Sequence, residues 1–327
     1  MKVGSFCYAT DQGLGYLARS FYRAGVVTDV VVVKHPSRPT HLDWFPGSQI
    51  VNHNFSTPNV VNFCNSVDVM LFFETPFNWS LIEHCRKIGV KTFLMPMYEC
   101  TPKHLPAIPD FFLCPSKLDL QYFKQYPSCF LPVPVEGIHP YRERKTAELF
   151  VHNAGNGGLL GRNGTQEVFE SLKSVKSTAK FLIRYQKGNY PCDFETKDGV
   201  EIRKGTQPHE SLYDEGDIFL FPEKFNGLSL PLQEAFAAGM PVMATNRFPM
   251  NNWLPNDLLI PPSSERVRQI GGGYLAFNES LVDPVMIADQ IDTWYGRDIS
   301  EYSKAGLDFR NAMSWEKLKP QYLEVLH

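Results

Sequence analysis

This sequence is defined first by what it lacks. No apolar run approaches the roughly 18 residues that mark a membrane-spanning helix, so nothing in it reads as a transmembrane segment. Its seven cysteines (Cys7, Cys64, Cys85, Cys100, Cys114, Cys129 and Cys192) are odd in number, widely spaced and without a Cys-x-x-Cys pair. That excludes a disulfide framework and a thiolate zinc site, and reads as reduced thiols in a cytoplasmic protein. Neither sign of charge is in excess: 32 Lys and Arg stand against 35 Asp and Glu, a net of −3. No global field therefore advertises a nucleic acid or a membrane surface. The first 140 residues carry 11 basic against 10 acidic side chains and six of the nine histidines, a tilt too small to imply a polyanionic partner by itself. The first apolar run ends at Asp11, too early for the core of a signal peptide, and reads instead as a β-strand. With no secretory route indicated, the sequons at Asn54, Asn78, Asn163 and Asn278 carry no meaning. There is no internal repeat and no low-complexity tract.

What is present is an ordinary globular composition, 43% hydrophobic and 20% charged, over 327 residues, about twice a usual domain length. Short apolar runs alternate with segments of helical period, the pattern of parallel α/β units. Residues 3–8, 26–34, 67–73, 91–95, 111–114 and 130–135 read as strands, with Pro132 and Pro134 marking the last as an edge or exit. Residues 13–24, 80–88 and 117–125 read as helices among them. The charged stretch 136–145, with Gly137 and Pro140, reads as a linker. A second set has strands at 149–153, 181–185, 200–203, 218–221, 242–245 and 258–260. Its helices fall at 166–173, 231–238 and 284–294, and a last one reaches Leu326. The expected fold class is α/β, with two doubly wound Rossmann-like domains facing across a cleft, over residues 1–138 and 146–305. In such sheets ligands bind beyond the C-terminal strand ends.

The most informative run is Phe221-Pro-Glu-Lys-Phe-Asn-Gly-Leu-Ser-Leu-Pro-Leu-Gln-Glu-Ala-Phe-Ala-Ala-Gly-Met-Pro-Val-Met-Ala-Thr245. It reads as a buried strand, a glycine-bearing loop and a helix opening at Pro231, where a missing N–H is harmless. Backbone N–H groups between Gly227 and Leu230, Leu228 and Ser229 included, are then expected to be free to meet a diphosphate. Glu234 is expected in the first helical turn, able to accept two ribose hydroxyls. Gly239 ends the helix and Pro241 prevents its continuation. Upstream, Asn153-Ala-Gly-Asn-Gly-Gly-Leu-Leu-Gly-Arg162-Asn163-Gly-Thr165 places five glycines between 155 and 164, as a backbone wrapped on an anion does. Asp11-Gln-Gly13-Leu-Gly15 after the first strand is a second, weaker glycine turn, since any strand-to-helix turn can use two glycines.

These motifs resemble the retaining family-four glycosyltransferases, whose fold is GT-B. The likeness rests on Gly227, Leu230 to Glu234 and the Ala235 to Val242 turn, and runs over most of the chain in order. Cys114-Pro-Ser116 and Leu131-Pro-Val-Pro-Val135 are similar to paired segments ahead of the linker, and His209-Glu-Ser-Leu-Tyr213 to the short helix before the donor strand. Ser314-Trp-Glu-Lys-Leu to Leu326 looks like the family's last helix, implying that residues 306–327 pack back on the N-terminal domain. The resemblance implies a nucleoside-diphosphate sugar in the C-terminal domain: Glu234 on ribose, Arg162 on phosphate, and Gly13 and Gly15 near the scissile bond.

The sequence also departs from that pattern. Where the family has its first Glu, eight residues before Glu234, this chain has Asn226, which can still meet sugar hydroxyls. Where a Lys follows the phosphate Arg there is Asn163, leaving Lys187 or Arg184 to supply the second charge. Where the family places imidazoles after two N-terminal strands, this chain has Glu74 and Glu99, carboxylates suited to activate an acceptor or stabilise an oxocarbenium-like transition state. Phe77, Trp79 and Tyr98 are candidates for stacking on a sugar, with core packing their commoner fate. The loop 35–53, holding His35, Arg38, His41, Trp44 and His53, reads as acceptor-binding or as a plain solvated loop. No Asp-x-Asp pair follows a strand, so no metal clamp on the diphosphate and no cofactor is expected.

The resulting expectation is metal-independent, retaining transfer of a hexose from a UDP- or GDP-sugar, UDP-glucose among them, to an acceptor hydroxyl. The acceptor is expected to be a glycan or a lipid-linked sugar. The compact variant of the motif resembles divergent bacterial and phage members acting in the bacterial or phage-infected cytoplasm. A DNA acceptor, a hydroxymethylated base, is therefore a second reading, and a nucleotide-sugar-binding module without catalysis a third.

Overall fold

The computed structural model describes residues 1–53, 55, 57–135, 139–155, 157–186 and 198–327. Lys187, Cys192 and positions 136–138 of the expected linker lie outside them. The chain divides into two compact units, one of residues 1–134, 269–275 and 315–327, the other of residues 135–268 and 276–314. No helix among the described residues is long and apolar enough to cross a membrane.

The first unit is built on a seven-stranded sheet. Its strands are β1 (Val3–Cys7), β2 (Asp29–Val33), β3 (Gln49–Val51), β4 (Val69–Glu74), β5 (Lys91–Pro96), β6 (Phe111–Cys114) and β7 (Ser128–Phe130). They run in the order β3-β2-β1-β4-β5-β6-β7, and every pair is parallel. Strands covered by helices on both faces bury both faces, which is why β1 is buried at every residue and β2 at all but its first. The order reverses direction between β1 and β4, the switch point of a doubly wound sheet. Helices α1 (Gly13–Arg23), α2 (Pro58–Asn65), α3 (Ser80–Lys87) and α4 (Lys117–Phe123) make the crossovers. α1 buries Leu17, Ala18 and Phe21 at helical spacing.

The second unit carries the six-stranded sheet β10-β9-β8-β11-β12-β13, also parallel throughout. These strands are β8 (Leu149–Gly155), β9 (Lys180–Tyr185), β10 (Val200–Lys204), β11 (Ile218–Phe221), β12 (Val242–Thr245) and β13 (Leu259–Ile260). Helices α5 (Thr165–Ser171), α6 (Leu230–Ala237), α7 (Pro284–Trp294) and α8 (Ser300–Ala312) accompany them, and a polar hairpin joins β14 (Ser264–Arg268) to β15 (Phe277–Leu281). The doubly wound α/β reading of both halves thus holds.

Some local expectations differ. The strand expected at 130–135 ends at Phe130, because Pro132 and Pro134 cannot donate to a ladder. The last helical stretch is two helices, α8 and α9 (Trp315–Leu326), separated at residues 313–314. α9 is part of the first unit. There Trp315 Nε1 donates to Ser20 Oγ at 2.8 Å and Tyr322 OH donates to the Pro132 carbonyl at 2.9 Å. The rings of Trp315 and Tyr322 both meet Phe21 edge-on, each at 4.9 Å.

Candidate functional site

The β11–α6 connection holds the run that the sequence singles out. α6 opens at Leu230, one residue earlier than expected, so Glu234 stands in its second turn rather than its first. The helix closes on Gly239, whose φ of 78° favours glycine; a Cβ there would also lie 2.5 Å from the Arg142 carbonyl oxygen. Glu234 is buried and surrounded. Tyr213 OH donates to its Oε2 at 3.2 Å. His209 Nε2 lies 3.4 Å from Oε1, and His139 Nε2 lies 3.8 Å from Oε2. Burial by itself would raise the Glu234 pKa; the two imidazoles outweigh it and hold the carboxyl below its usual range. Burial and the same carboxylate push the Tyr213 phenol up, which keeps it a donor. The result is an ionised, oriented carboxylate on the second unit.

The loop before α6 corrects an expectation. Asn226 is buried, and its Oδ1 accepts from the N–H groups of Leu228 and Ser229, each at 3.0 Å. These two donors were expected to be free for a diphosphate and are instead satisfied within the loop. The Asn226 Nδ2 donates to Glu223 Oε1 at 2.8 Å. Glu223 is buried too, and Arg247 Nη2 donates to its Oε2 at 2.9 Å while Arg247 Nη1 donates to the Asn226 carbonyl at 2.9 Å. Asn226 therefore staples the loop. Ser229 is left in a left-handed conformation, φ 47°, costly for a residue with a side chain and concentrated at functional turns. Gly227 sits between the stapled positions.

The glycine-rich loop after β8 lies against this one. Gly155, Gly157, Gly158, Gly161 and Gly164 all have positive φ, which explains the glycine count. A Cβ on Gly164 would stand 2.3 Å from the Pro222 carbonyl oxygen, and Lys224 N donates to the Arg162 carbonyl at 2.7 Å. The loop bearing Arg162 is thereby joined to the loop bearing Gly227. Asn163 turns inward, its Nδ2 donating to the Ala154 carbonyl at 2.8 Å. Arg184 is committed to Asn153 Oδ1, the Leu212 carbonyl and Glu215 at 2.8 to 3.2 Å. Lys187 falls outside the described residues.

In the first unit the candidates stand at the C-terminal strand ends. Gly13 opens α1, and Gly15 allows α1 to close on the turn that follows β1, since a Cβ there would meet the Thr10 carbonyl oxygen at 2.1 Å. Glu74 closes β4 at φ 57°, a strained conformation for a carboxylate residue. Nearby, Tyr8 makes edge contacts with His35 at 4.8 Å and Phe77 at 4.7 Å, and its OH lies 3.5 Å from His53 Nε2. Burial and the Glu74 charge push the Tyr8 phenol up. Glu99 lies in the short turn after β5 with no exposed surface, and Tyr98 beside it is buried against Tyr122. The structure therefore does not expose the two carboxylates alike. The loop 35–53 is tied down rather than merely solvated: His41 bonds Asp11 at 2.9 Å and stacks on Trp44, over which Arg19 lies at 4.4 Å.

Sequence reasoning passed over His139, Tyr213 and Arg247. His139 and Arg247 stand 95 and 13 positions from Glu234 with no periodic link to it, so no local pattern signals them. Tyr213 ends a recognisable motif, but nothing in its spacing marks the phenol as a partner of Glu234.

No protein-family model and no curated protein sequence matches the chain. Solved structures do. A glycosyltransferase from Rickettsia africae is similar over 99% of this chain and 97% of its own, with a TM-score of 0.68 at 12% identity. Anabaena HepE in complex with UDP and glucose is similar over 100% and 99%, with a TM-score of 0.67 at 9% identity. The pneumococcal O-GlcNAc transferase GtfA in complex with UDP and GlcNAc is similar over 82% of this chain, at a TM-score of 0.59 and 14% identity. This chain spans 60% of the GtfA length. The fold is GT-B, two Rossmann-like units.

Proposed function

We propose that this chain is a glycosyltransferase that moves a hexose from a nucleoside-diphosphate sugar, UDP-linked in the first instance, to an acceptor hydroxyl. The observation that carries the reading is Glu234. It is a buried carboxylate kept ionised beside a tyrosine donor, one helical turn beyond a glycine-bearing loop, in a fold shared with proteins solved with UDP and a sugar. A carboxylate offers two acceptor oxygens, the number a vicinal ribose diol requires. The charge of the leaving diphosphate then falls to Arg162 and the glycine loop, with no metal on the phosphates. Retention of configuration belongs to the same reading through the motif.

The acceptor half of the reading favours a glycan or a lipid-linked sugar over DNA. Tyr8, His35, His53 and Phe77 form a ring-lined cluster of the kind that stacks on sugars, and the Glu74 carboxylate beside it repels a phosphate backbone. Of the two candidate carboxylates, Glu74 suits acceptor activation, because fully buried Glu99 cannot reach a hydroxyl without opening its turn.

A thermal-shift panel of UDP- and GDP-sugars tests this. A ligand at 100 times its Kd stabilises the native state by about 2.7 kcal/mol, a shift of several degrees. We expect that shift with at least one nucleotide sugar, its loss in Glu234→Ala, and turnover that persists in chelator. An unmoved melting point across the panel overturns the proposal, and abolition of turnover by chelator, restored with Mn²⁺, overturns its metal-independent part.

A further inference from the structure

The cluster around Glu234 contains an arrangement that nucleotide binding does not require. His139 Nδ1 lies 3.3 Å from the Glu210 carbonyl oxygen. A carbonyl can only accept, so Nδ1 donates, and in the neutral ring Nε2 carries the lone pair. That lone pair has no hydrogen-bond partner, on a side chain only 2% exposed, and it faces Glu234 Oε2, another acceptor, at 3.8 Å. A buried ring nitrogen with no hydrogen-bond partner, set beside a buried carboxylate oxygen, is a pair of atoms placed to share a cation.

The surrounding geometry favours the cation. His209 brings a third donor atom, Nε2, to 3.4 Å from Oε1, and the three ligand atoms lie within 4.8 Å of one another. Two ligands about 2.1 Å from a tetrahedral ion stand about 3.4 Å apart, which the His209–Glu234 pair matches. The widest separation, within 4.8 Å, exceeds that spacing, so the rings must move inward to hold an ion. Each fixed ligand has an outer partner: the Glu210 carbonyl orients His139 and Tyr213 OH orients Glu234. His209 stands on a short turn (His209–Ser211) with its side chain 13% exposed, a way in for an ion.

We propose that His139, His209 and Glu234 form a zinc-type transition-metal site with an open fourth position. Two imidazole nitrogens and one carboxylate oxygen suit Zn²⁺, and do not suit Mg²⁺ or Ca²⁺, which take oxygen ligands in larger number. The ligand assignment stands on this geometry alone. Its consequence rests on the ribose reading of Glu234: an ion that occupies the carboxylate excludes the donor, so Zn²⁺ acts as an inhibitor and a chelator relieves it.

The test is titration of the full chain, stripped of metal and free of nucleotide, with ZnCl₂, and with Co²⁺ read by its visible absorption. We expect one Zn²⁺ per chain and the intense bands of four-coordinate Co²⁺, both lost in His209→Ala and in His139→Gln. His209 is partly exposed, so its variant is expected to fold, which circular dichroism checks. Absence of Zn²⁺ binding overturns the proposal. Binding retained in both variants also overturns it, placing the ion elsewhere in the chain. UDP titrated in chelator reads the nucleotide site without the metal, so failure of one reading is distinguishable from failure of the other.

Discussion

Asn226 occupies the position where the resembled family carries a carboxylate, and its surroundings show what the exchange costs and gains. A glutamate there would bring a second carboxylate beside buried Glu223, with Arg247 the cation bonded to both residues 223 and 226. It would also lose the amide donor to Glu223. Buried like charges and unpaired polar groups each cost on the order of 2–4 kcal/mol. Asn226→Glu is therefore expected to destabilise the chain by about that much, read as a lower urea midpoint; an unchanged midpoint would show that the staple is not structural. The missing carboxylate was legible in the sequence. The compensating Arg247 was not, because 21 residues separate it from Asn226 and only the fold closes that distance. A second residue-scale effect is at Asp119. Burial pushes its carboxyl up from 3.8 to about 7, against bonds from Ser116 and from the Tyr98 N–H. Between those values the folded chain keeps a proton that the unfolded chain has released. Stability from this group is thus full below pH 3.8 and is lost as pH rises toward 7, with a slope of at most about 1.4 kcal/mol per pH unit. Asp119→Asn should remove that slope. If urea unfolding from pH 4 to 7 gives wild type and variant parallel curves, Asp119 does not titrate in that window.

Elements with a strong apolar period were readable, and those held by polar register were not. α7 was placed at both ends because Pro284 and the spacing of Ile287, Ala288 and Ile291 mark it. α2 was missed although Pro58 at its start and Val60, Phe63 and Cys64 at helical spacing are the same signals, compressed into eight residues. β3 has three residues and no buried one, so it offers no pattern at all. The β14–β15 hairpin is polar, its register pinned by Arg266 and Arg268 on buried Glu279, and charge pairs leave no apolar alternation to read. Helix contact can hinge on one absent methyl. A Cβ on Gly306 of α8 would stand 2.2 Å from the Phe236 carbonyl oxygen of α6. Ala is worth about 1 kcal/mol more than Gly in a helix, but a backbone oxygen cannot swing aside, and overpacking costs about 1–3 kcal/mol. The clash should win. Gly306→Ala is expected to lower the urea midpoint, while Gly272→Ala, with open space around it, should not. A midpoint raised by Gly306→Ala would mean that α6 and α8 part without cost.

At the scale of the whole molecule, alternating strands and helices sufficed to read two doubly wound sheets. The way the chain assembles its first unit was less visible. Residues 269–275, which carry three glycines and no apolar pattern, belong to that unit, with Leu275 N bonded to the Thr101 carbonyl at 3.0 Å and Lys103 N to that of Gly273 at 2.8 Å. α9, whose return to this unit the family resemblance implied, belongs there as well and buries Leu318, Tyr322 and Leu326, while residues 306–314 of the same expected stretch fall in the second unit. Fully burying a large apolar side chain contributes about 1.5–3 kcal/mol, so three of them, with Trp315 on Phe21, contribute several. That is comparable to the net stability of a whole domain. A fragment of residues 1–134 thus holds all seven strands of its sheet and still lacks what closes its core. It is expected to show helical circular dichroism without a cooperative urea transition. Adding a peptide of residues 314–327 in trans should restore cooperativity in a concentration-dependent way, and Tyr322→Ala in that peptide should abolish the rescue. A sharp transition in the bare fragment would show instead that the seven-stranded sheet is stable without α9.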